Sequence, residues 1–304
     1  SSVRTVGGVI LIIWVLIALV FSKLMVRPFI RITRSLENAT AGYDESMLHE
    51  NAYTETRQMT EAFNKMLGRL RVLDDSRTEF VSNVSHELKT PLTSMKVLSD
   101  SLLTQEDVPV ELYKEFMGDL SEEIERENKI INDLLSLVKM DKTADTMNIS
   151  SVNINTLVER ILKQLRPIAA KNNIEVVFES FRPVTAEVDE VKLSLAITNL
   201  VENAIKYNRE DGSVTVSAIR KKNEVVLTVS DTGNGIDEAF REQIFEPFFR
   251  VDKSRSRELG GVGLGLAMVR EVVRVHDGTI EVYTNKHLGT TFEVKMSIGA
   301  EKTV

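Results

Sequence analysis

The sequence predicts a multidomain chain. A transmembrane helix covers residues 1–26, a helical linker 27–75, a helical hairpin 76–142 and an α+β sandwich 150–300. Three observations carry this reading. The first is an apolar run near the N-terminus. The second is a series of long helical periodicities, each with a single apolar stripe. The third is an alternation of helix and strand patterns after residue 150, punctuated by glycine clusters. A composition of 42% hydrophobic and 27% charged residues over 304 positions suits a globular chain too long for one small domain.

No charged residue occurs from Thr5 to Ser22, and Val9 to Phe21 is almost purely apolar. With Lys23 snorkelling, the segment reaches Val26, long enough as a helix to cross about 30 Å of hydrocarbon. A signal peptide is the competing reading, but the run is long and no small-residue cleavage site follows it. Arg27, Arg31 and Arg34 lie beyond the span, against Arg4 before it. That asymmetry puts a single visible span in the cell membrane and the C-terminal bulk in the cytoplasm. So little sequence before the span is the expectation for a fragment that starts at the last transmembrane helix of a longer receptor.

Pro28 sits where the membrane helix is expected to restart. Phe29, Ile32 and Leu36 form one stripe, and Met59, Phe63, Met66 and Leu70 form another, with the polar Ala41-Gly-Tyr-Asp-Glu-Ser46 between them. Neither helix can bury its stripe alone, so a dimeric parallel bundle is expected.

The helix over 74–103 carries Phe80-Val-Ser-Asn-Val-Ser-His-Glu-Leu-Lys-Thr-Pro-Leu92. Phe80, Val84, Leu88, Pro91, Met95, Leu98 and Leu102 follow a helical period. His86 falls about 200° from Val84 and from Leu88, so it points away from that stripe. Pro91 cannot donate to the carbonyl of Glu87, and a bend is expected there. An imidazole held out beside a carboxylate suits a nucleophile, although a lone surface histidine with no chemical role reads the same way. After a turn at Gln105–Pro109, Leu112, Phe116, Leu120, Ile124, Ile131, Leu135 and Val138 mark a second long helix. Two single-stripe helices make only half a core, so the hairpin is expected to pair with a second copy as a homodimeric four-helix bundle.

Asp141–Asn148 is a polar linker. Beyond it come helix 153–171, strand 174–180, helix 189–208, a strand pair over 213–230, helix 262–276 and a strand pair over 279–298. The helices can lie on one face of a mixed sheet. Four segments of this region look chemical. In Asn199-Leu-Val-Glu-Asn-Ala-Ile-Lys-Tyr-Asn208, Asn199, Glu202, Asn203 and Lys206 share a face opposite Leu193, Ile197, Leu200 and Ala204. Such oxygens suit Mg²⁺ and such a lysine suits phosphate, but a solvated polar face reads alike. Asp231-Thr-Gly-Asn-Gly-Ile236 follows a strand. Gly233 and Gly235 let backbone approach a planar base, and Asp231 can accept from an exocyclic amine. Many turns have this pattern too. Gly260-Gly-Val-Gly-Leu-Gly-Leu266 places glycine amides at a helix start, an anion site. Phe245-Glu-Pro-Phe-Phe-Arg-Val-Asp252 precedes the basic Lys253-Ser-Arg-Ser-Arg257, a lid or an ordinary loop.

Net charge of −7 and a pI near 5.4 disfavour general nucleic-acid binding. The absence of cysteine excludes disulfides and thiolate chemistry. No Gly-x-x-x-x-Gly-Lys-Ser/Thr loop, His-Arg-Asp or Asp-Phe-Gly element occurs, which argues against P-loop and Ser/Thr/Tyr kinase folds. His49, His276 and His287 are isolated and read as structural or surface residues.

The segment around His86 resembles the phospho-acceptor box of sensor histidine kinases. The four segments, in their order and spacing, resemble the N, G1, F and G2 boxes of the same family's catalytic domain, within the GHKL ATPases. Gly289-Thr-Thr-Phe292 fits that domain's terminal motif. Residues 27–75 resemble a HAMP linker, except that Thr54-Glu-Thr-Arg57 lacks the usual glycine. The resemblance implies a membrane-anchored, dimeric kinase of a two-component system. In such a kinase ATP phosphorylates His86, with Glu87 orienting the ring and accepting its proton, and phosphate passes to an aspartate on a response regulator. It implies Mg²⁺ on Asn203, supported by Asn199 and Glu202, and phosphate contacts from Lys206, Arg250 and Arg255. Tyr207, Gly233, Gly235, Ile236, Phe249, Gly261, Gly263, Leu264, Gly265, Leu266 and Thr290 would surround the nucleotide, and Asp231 would read the adenine amine. Glu87-Leu-Lys-Thr90 matches members that also dephosphorylate the regulator, with Thr90 orienting a water. A GHKL clamp ATPase has no use for His86. A non-catalytic scaffold has no use for the glycine loops.

Overall fold

The computed structural model describes residues 2–40, 54–104, 109–142, 147–180, 182–252, 261–285, 287 and 289–298. It divides into two units, Ser1–Val81 and Ser82–Val304.

The first unit is helical. Helix α1 (Ser2–Thr40) runs unbroken through Pro28, so the expected restart is not found. One missing i→i−4 bond is a small loss in a helix of 39 residues. Within α1, Val6–Lys23 has a mean hydropathy of 2.5 and no buried residue, so this helix is long and apolar enough to cross a membrane. The polar connector at 41–46 lies outside the described residues. Helix α2 (Thr54–Leu103) is a single element of 50 residues, in which the second linker helix and the helix of His86 are continuous. The polar stretch Asp74–Glu79 interrupts the apolar stripe but contains no glycine or proline to break the backbone.

In the second unit, α2 continues through the buried Pro91 to Leu103. Helix α3 (Val110–Lys142) follows. The intervening Gln105–Val108 lies outside the described residues. On α3, Ile130 and Met140 are buried, whereas Ile124, Ile131, Leu135 and Val138 remain exposed along one side.

The α+β part begins with a ribbon that sequence patterning missed, β1 (Ile149–Asn153) antiparallel to β3 (Thr185–Asp189). Each strand is five residues long, β1 with Val152 alone buried and β3 with Ala186, Val188 and Asp189 buried, too short to establish a period in sequence. Helix α4 (Ile154–Lys171) is capped by the side chain of Asn153 and buries Leu157, Val158, Ile161, Leu162 and Leu165. The main sheet has order β2-β4-β5-β7-β6: β2 (Glu175–Glu179), β4 (Ser213–Lys221), β5 (Glu224–Asp231), β7 (Thr290–Ser297) and β6 (Thr279–Thr284). Only the β2–β4 pair is parallel. In β4 the period-two positions Val214, Val216 and Ala218 are buried while Ser213, Thr215 and Ser217 between them are half-buried. That face joins one core with α4, α5 (Glu190–Lys206) and α6 (Gly265–Val275). A mixed sheet covered on one side by helices matches the expected sandwich.

Candidate functional site

Helix α5 starts behind Asp189, whose Oδ1 accepts from the Lys192 amide at 3.1 Å and whose Oδ2 accepts from the Asn148 amide at 3.1 Å. Burial alone would push the Asp189 carboxyl up, but these amides, with the Lys192 ammonium nearby, hold it below its ordinary value. The stripe Leu193, Ile197, Leu200 and Ala204 is buried in the core. Asn199, Glu202, Asn203 and Lys206 then line a cavity of about 420 Å³, as does the C-cap residue Tyr207. Asn199 donates from Nδ2 to the Leu195 carbonyl at 2.9 Å.

Strand β5 ends at Asp231 on the cavity wall. Its Oδ1 accepts from the Gly233 amide at 2.8 Å and the Thr290 amide at 3.0 Å, while Asn285 Nδ2 donates to its carbonyl at 2.6 Å. Both side-chain bonds fall on Oδ1, so Oδ2 is the oxygen left for a ligand. Burial pushes the Asp231 carboxyl up, against the two amides, which pull it down. Gly235, Ile236 and Thr290 also line the cavity. Gly233 does not, contrary to expectation. It packs behind Asp231, where a Cβ would lie 2.4 Å from the Tyr207 carbonyl oxygen.

Gly261, Gly263, Leu264, Gly265 and Leu266 form the glycine-loop wall, together with Phe249 and Arg250. The helix behind them starts at Gly265, three residues later than the expected 262. Gly263 has φ of +83°, its carbonyl accepts from the Phe248 amide at 2.9 Å, and a Cβ there would lie 2.8 Å from the Phe248 carbonyl carbon. Only glycine fits this close approach. Arg255 and Gly260 lie outside the described residues.

Lys206 Nζ rests against Gly261, where a Cβ would come within 2.3 Å of it, and 5.3 Å from the Tyr207 ring centroid. Its pKa falls to about 8, first through burial and then through Lys129, Arg126 and Arg250, with Glu202 alone opposing.

His86, Glu87 and Thr90 lie off the cavity wall. His86 is exposed. Arg250 links the two places: Nη2 donates to Glu87 Oε1 at 2.5 Å and Nη1 donates to the Gly261 carbonyl at 2.8 Å. The Arg250 side chain is 9% exposed, and its Nε is buried with no partner. Thr90 Oγ1 donates to the His86 carbonyl at 3.1 Å, so the hydroxyl expected to orient a water is engaged by its own helix. Sequence reading missed Arg126, Lys129 and Asp133 of α3, which also line the cavity. Their only signal was a polar helix face. His276 is structural: its Nε2 accepts from the Asp189 amide at 3.0 Å and its Nδ1 donates to the Val272 carbonyl at 2.7 Å. His287 is exposed, and His49 lies outside the described residues.

The chain thus joins a helical segment bearing an exposed histidine to a one-sided α+β sandwich with a glycine-walled cavity. Residues 76–143 match the His Kinase A (phospho-acceptor) domain, and residues 188–299 match the family described as histidine kinase-, DNA gyrase B-, and HSP90-like ATPase. The chain therefore carries the phospho-acceptor and ATPase domains of histidine kinases, and its curated relatives are sensor histidine kinases. It is 35% identical to the sensor-like histidine kinase SenX3 of Mycobacterium tuberculosis over 224 residues, 74% of this chain and 54% of that protein. The chain thus spans about half the length of the curated relatives it matches. Full-length ShkA in complex with AMPPNP aligns with a TM-score of 0.56 at 26% identity, over 73% of this chain and 46% of that one. Histidine kinase ThkA in complex with response regulator protein TrrA aligns with a TM-score of 0.58 at 24% identity, over 83% of this chain and 69% of that one.

Proposed function

We propose that the chain is the membrane-anchored signalling and catalytic part of a sensor histidine kinase. It transfers the γ-phosphoryl group of ATP to His86 and then to an aspartate on the receiver domain of a response regulator. The observation that carries this is a convergence. Four separate segments, contributing Lys206, Ile236, Arg250 and Leu266 among others, meet on one cavity, and Arg250 on its wall reaches Glu87, next to His86, at 2.5 Å.

Adenine would sit against Gly235, Ile236 and Phe249, its amine donating to Asp231 Oδ2. Gly261, Gly263, Leu264, Gly265 and Lys206 would hold the phosphates, with Tyr207, Leu266 and Thr290 closing the walls and Arg255 joining from the basic loop. A divalent cation fits the donor set. Asn203 and Glu202 offer hard oxygens, and among the described residues no group of three or more His, Cys, Asp or Glu could hold a metal alone. Asn203 would bind Mg²⁺, with Asn199 and Glu202 supporting, and when bound the ion neutralises charge on the transferring phosphoryl.

The ring nitrogen of His86 attacks the γ-phosphorus. A P–N bond forms, the bond to the bridging oxygen breaks, and ADP leaves with that electron pair. Glu87, released from Arg250, orients the ring and takes the proton from its other nitrogen. Arg250 then turns toward the phosphoryl oxygens. Positioning and charge dominate such a transfer. Thr90, freed from the His86 carbonyl, would orient the water that dephosphorylates the regulator.

The exposed Ile124, Ile131, Leu135 and Val138 support a homodimeric four-helix bundle, the missing half-core coming from a second copy. Residues 27–75 would be a HAMP-like linker, passing displacement of the membrane helix to the hairpin. The receiver-domain partner is supported by the likeness in fold to ThkA, whose structure holds a response regulator.

The test follows γ-labelled ATP with Mg²⁺ on the detergent-solubilised chain, beside His86→Gln and Asn203→Ala. The expected result is acid-labile, base-stable label on the parent and none on either variant. Label surviving on His86→Gln moves the acceptor elsewhere. Hydrolysis without label makes the chain a GHKL clamp ATPase, and neither signal makes it a scaffold.

A further inference from the structure

The wall of the nucleotide cavity is not built by the α+β part alone. Arg126, Lys129 and Asp133 sit on α3 at i, i+3 and i+7, one face of that helix, and all three line the cavity. Nothing in the sequence motifs gives these residues a role.

Their position along the cavity can be read from Lys206. Its ammonium lies against Gly261, so it marks the glycine-loop end, where glycine amides and helix α6 favour anions. The groups acting on Lys206 from every side are Lys129 and Arg126 of α3, Arg250 of the loop and Glu202 of its own helix. At Lys206 the three cations outweigh Glu202 and, with burial as the larger cause, pull its pKa down to about 8, while Arg250 is itself paired with Glu87. Lys129 Nζ is held 3.2 Å from Glu202 Oε2, and Arg126 Nη1 stands 3.9 Å from Glu123 Oε2. Asp133, one turn beyond Lys129, adds a carboxyl to the same wall; burial first and then Glu202 push it up, opposed by Lys129. The Lys129–Glu202 pair is 66% and 37% exposed. A pair that open adds little stability and does not by itself account for Lys129 standing on the cavity wall.

We propose that Arg126 and Lys129 bind the polyphosphate of the nucleotide, so that the phosphate subsite is built jointly by helix α3 and the glycine-loop wall. This rests on the reading of the cavity as an ATP site. A polyphosphate between Gly261, Lys206 and α3 removes the crowding of cations, with the Arg126 guanidinium and Lys129 ammonium donating to phosphate oxygens. Lys129 exchanges Glu202 for phosphate as it does so. Nucleotide occupancy and the seating of α3 on the cavity thereby become one equilibrium.

The experiment measures dissociation constants for ATP and for adenosine on the full chain in detergent, by displacement of a fluorescent nucleotide. Arg126→Gln/Lys129→Gln is expected to weaken ATP about tenfold or more, the strength of charge-assisted contacts. Adenosine, held by Asp231, should stay within about twofold, and Arg126→Lys/Lys129→Arg should retain most of the ATP affinity. An unchanged ratio of ATP to adenosine affinity in the double Gln variant overturns the proposal and leaves the ATP site standing. A parent with no preference for ATP over adenosine overturns the nucleotide reading itself. Should the double variant lose adenosine too, the single variants decide. Each is expected to lower ATP affinity severalfold with adenosine unchanged, and equal loss of both ligands in each overturns the proposal.

Discussion

Asp231 joins stability and recognition in one side chain, and the two roles separate by substitution. Its Oδ1 holds the amides of Gly233 and Thr290 at 2.8 and 3.0 Å, in a residue only 7% exposed. Asp231→Ala strands both buried N–H groups, at about 1–3 kcal/mol each, so about 2–6 kcal/mol in all. For a domain of this size that lowers the melting temperature by roughly 5–15 °C. Asp231→Asn keeps an acceptor for both amides. It also removes a charge that burial disfavours, as the raised pKa of the carboxyl records. Its melting temperature should stay within about 3 °C of the parent. Its Nδ2, however, presents a donor where an exocyclic amine needs an acceptor, and adenine nucleotides should bind at least tenfold more weakly, ~1.4 kcal/mol or more. The assay is thermal denaturation of the solubilised chain with and without ATP. Asp231→Asn should melt like the parent but lose the ATP-induced rise, and Asp231→Ala should melt early in both conditions. An Asn variant as unstable as the Ala variant, or one with the full ATP-induced rise, would refute the division of labour between Oδ1 and Oδ2.

Two further outcomes are expected. Lys206, whose folded pKa is lowered to about 8 from 10.5, binds fewer protons folded than unfolded between those values, so its charge costs stability below pH 8 and that cost fades as pH rises. Phosphate contact needs the charged form, so ATP affinity should fall up to about tenfold from pH 7 to 9, with proton uptake on binding near pH 8, and Lys206→Arg should flatten the profile. A parent profile that is flat over this range would refute the reading. Gly263→Ala forces a side chain onto a φ of +83° and a Cβ to 2.8 Å from Phe248 backbone. A loss of about 2 kcal/mol or more is expected, visible as a lower melting temperature and weaker ATP binding, while Gly68→Ala, with nothing within 4 Å of its Cβ, should be neutral or mildly stabilising.

Much of this protein was legible along the chain. The apolar run, the helical stripes and the glycine clusters are local patterns, and local patterns report local conformation. The stripe of α5 alone turned Asn199, Glu202, Asn203 and Lys206 onto one face, because helical period is a property of sequence. The β1–β3 ribbon was not legible, since strands of five residues are too short to establish a period of two. Nor was the unbroken backbone through Pro28, where a local breaker was outweighed by the helix on both sides. Three matters were decided only in the tertiary structure. Gly233 turned out to support Asp231 and not the cavity wall, because that depends on how closely Tyr207 approaches. Arg250 was placed on Glu87 across 163 positions of sequence, and Arg126 and Lys129 were placed on the cavity by the packing of α3 against α6. Sequence determines which faces are polar and which are apolar. Which polar face meets which is settled by burial of the apolar ones, a global sum that no single segment contains.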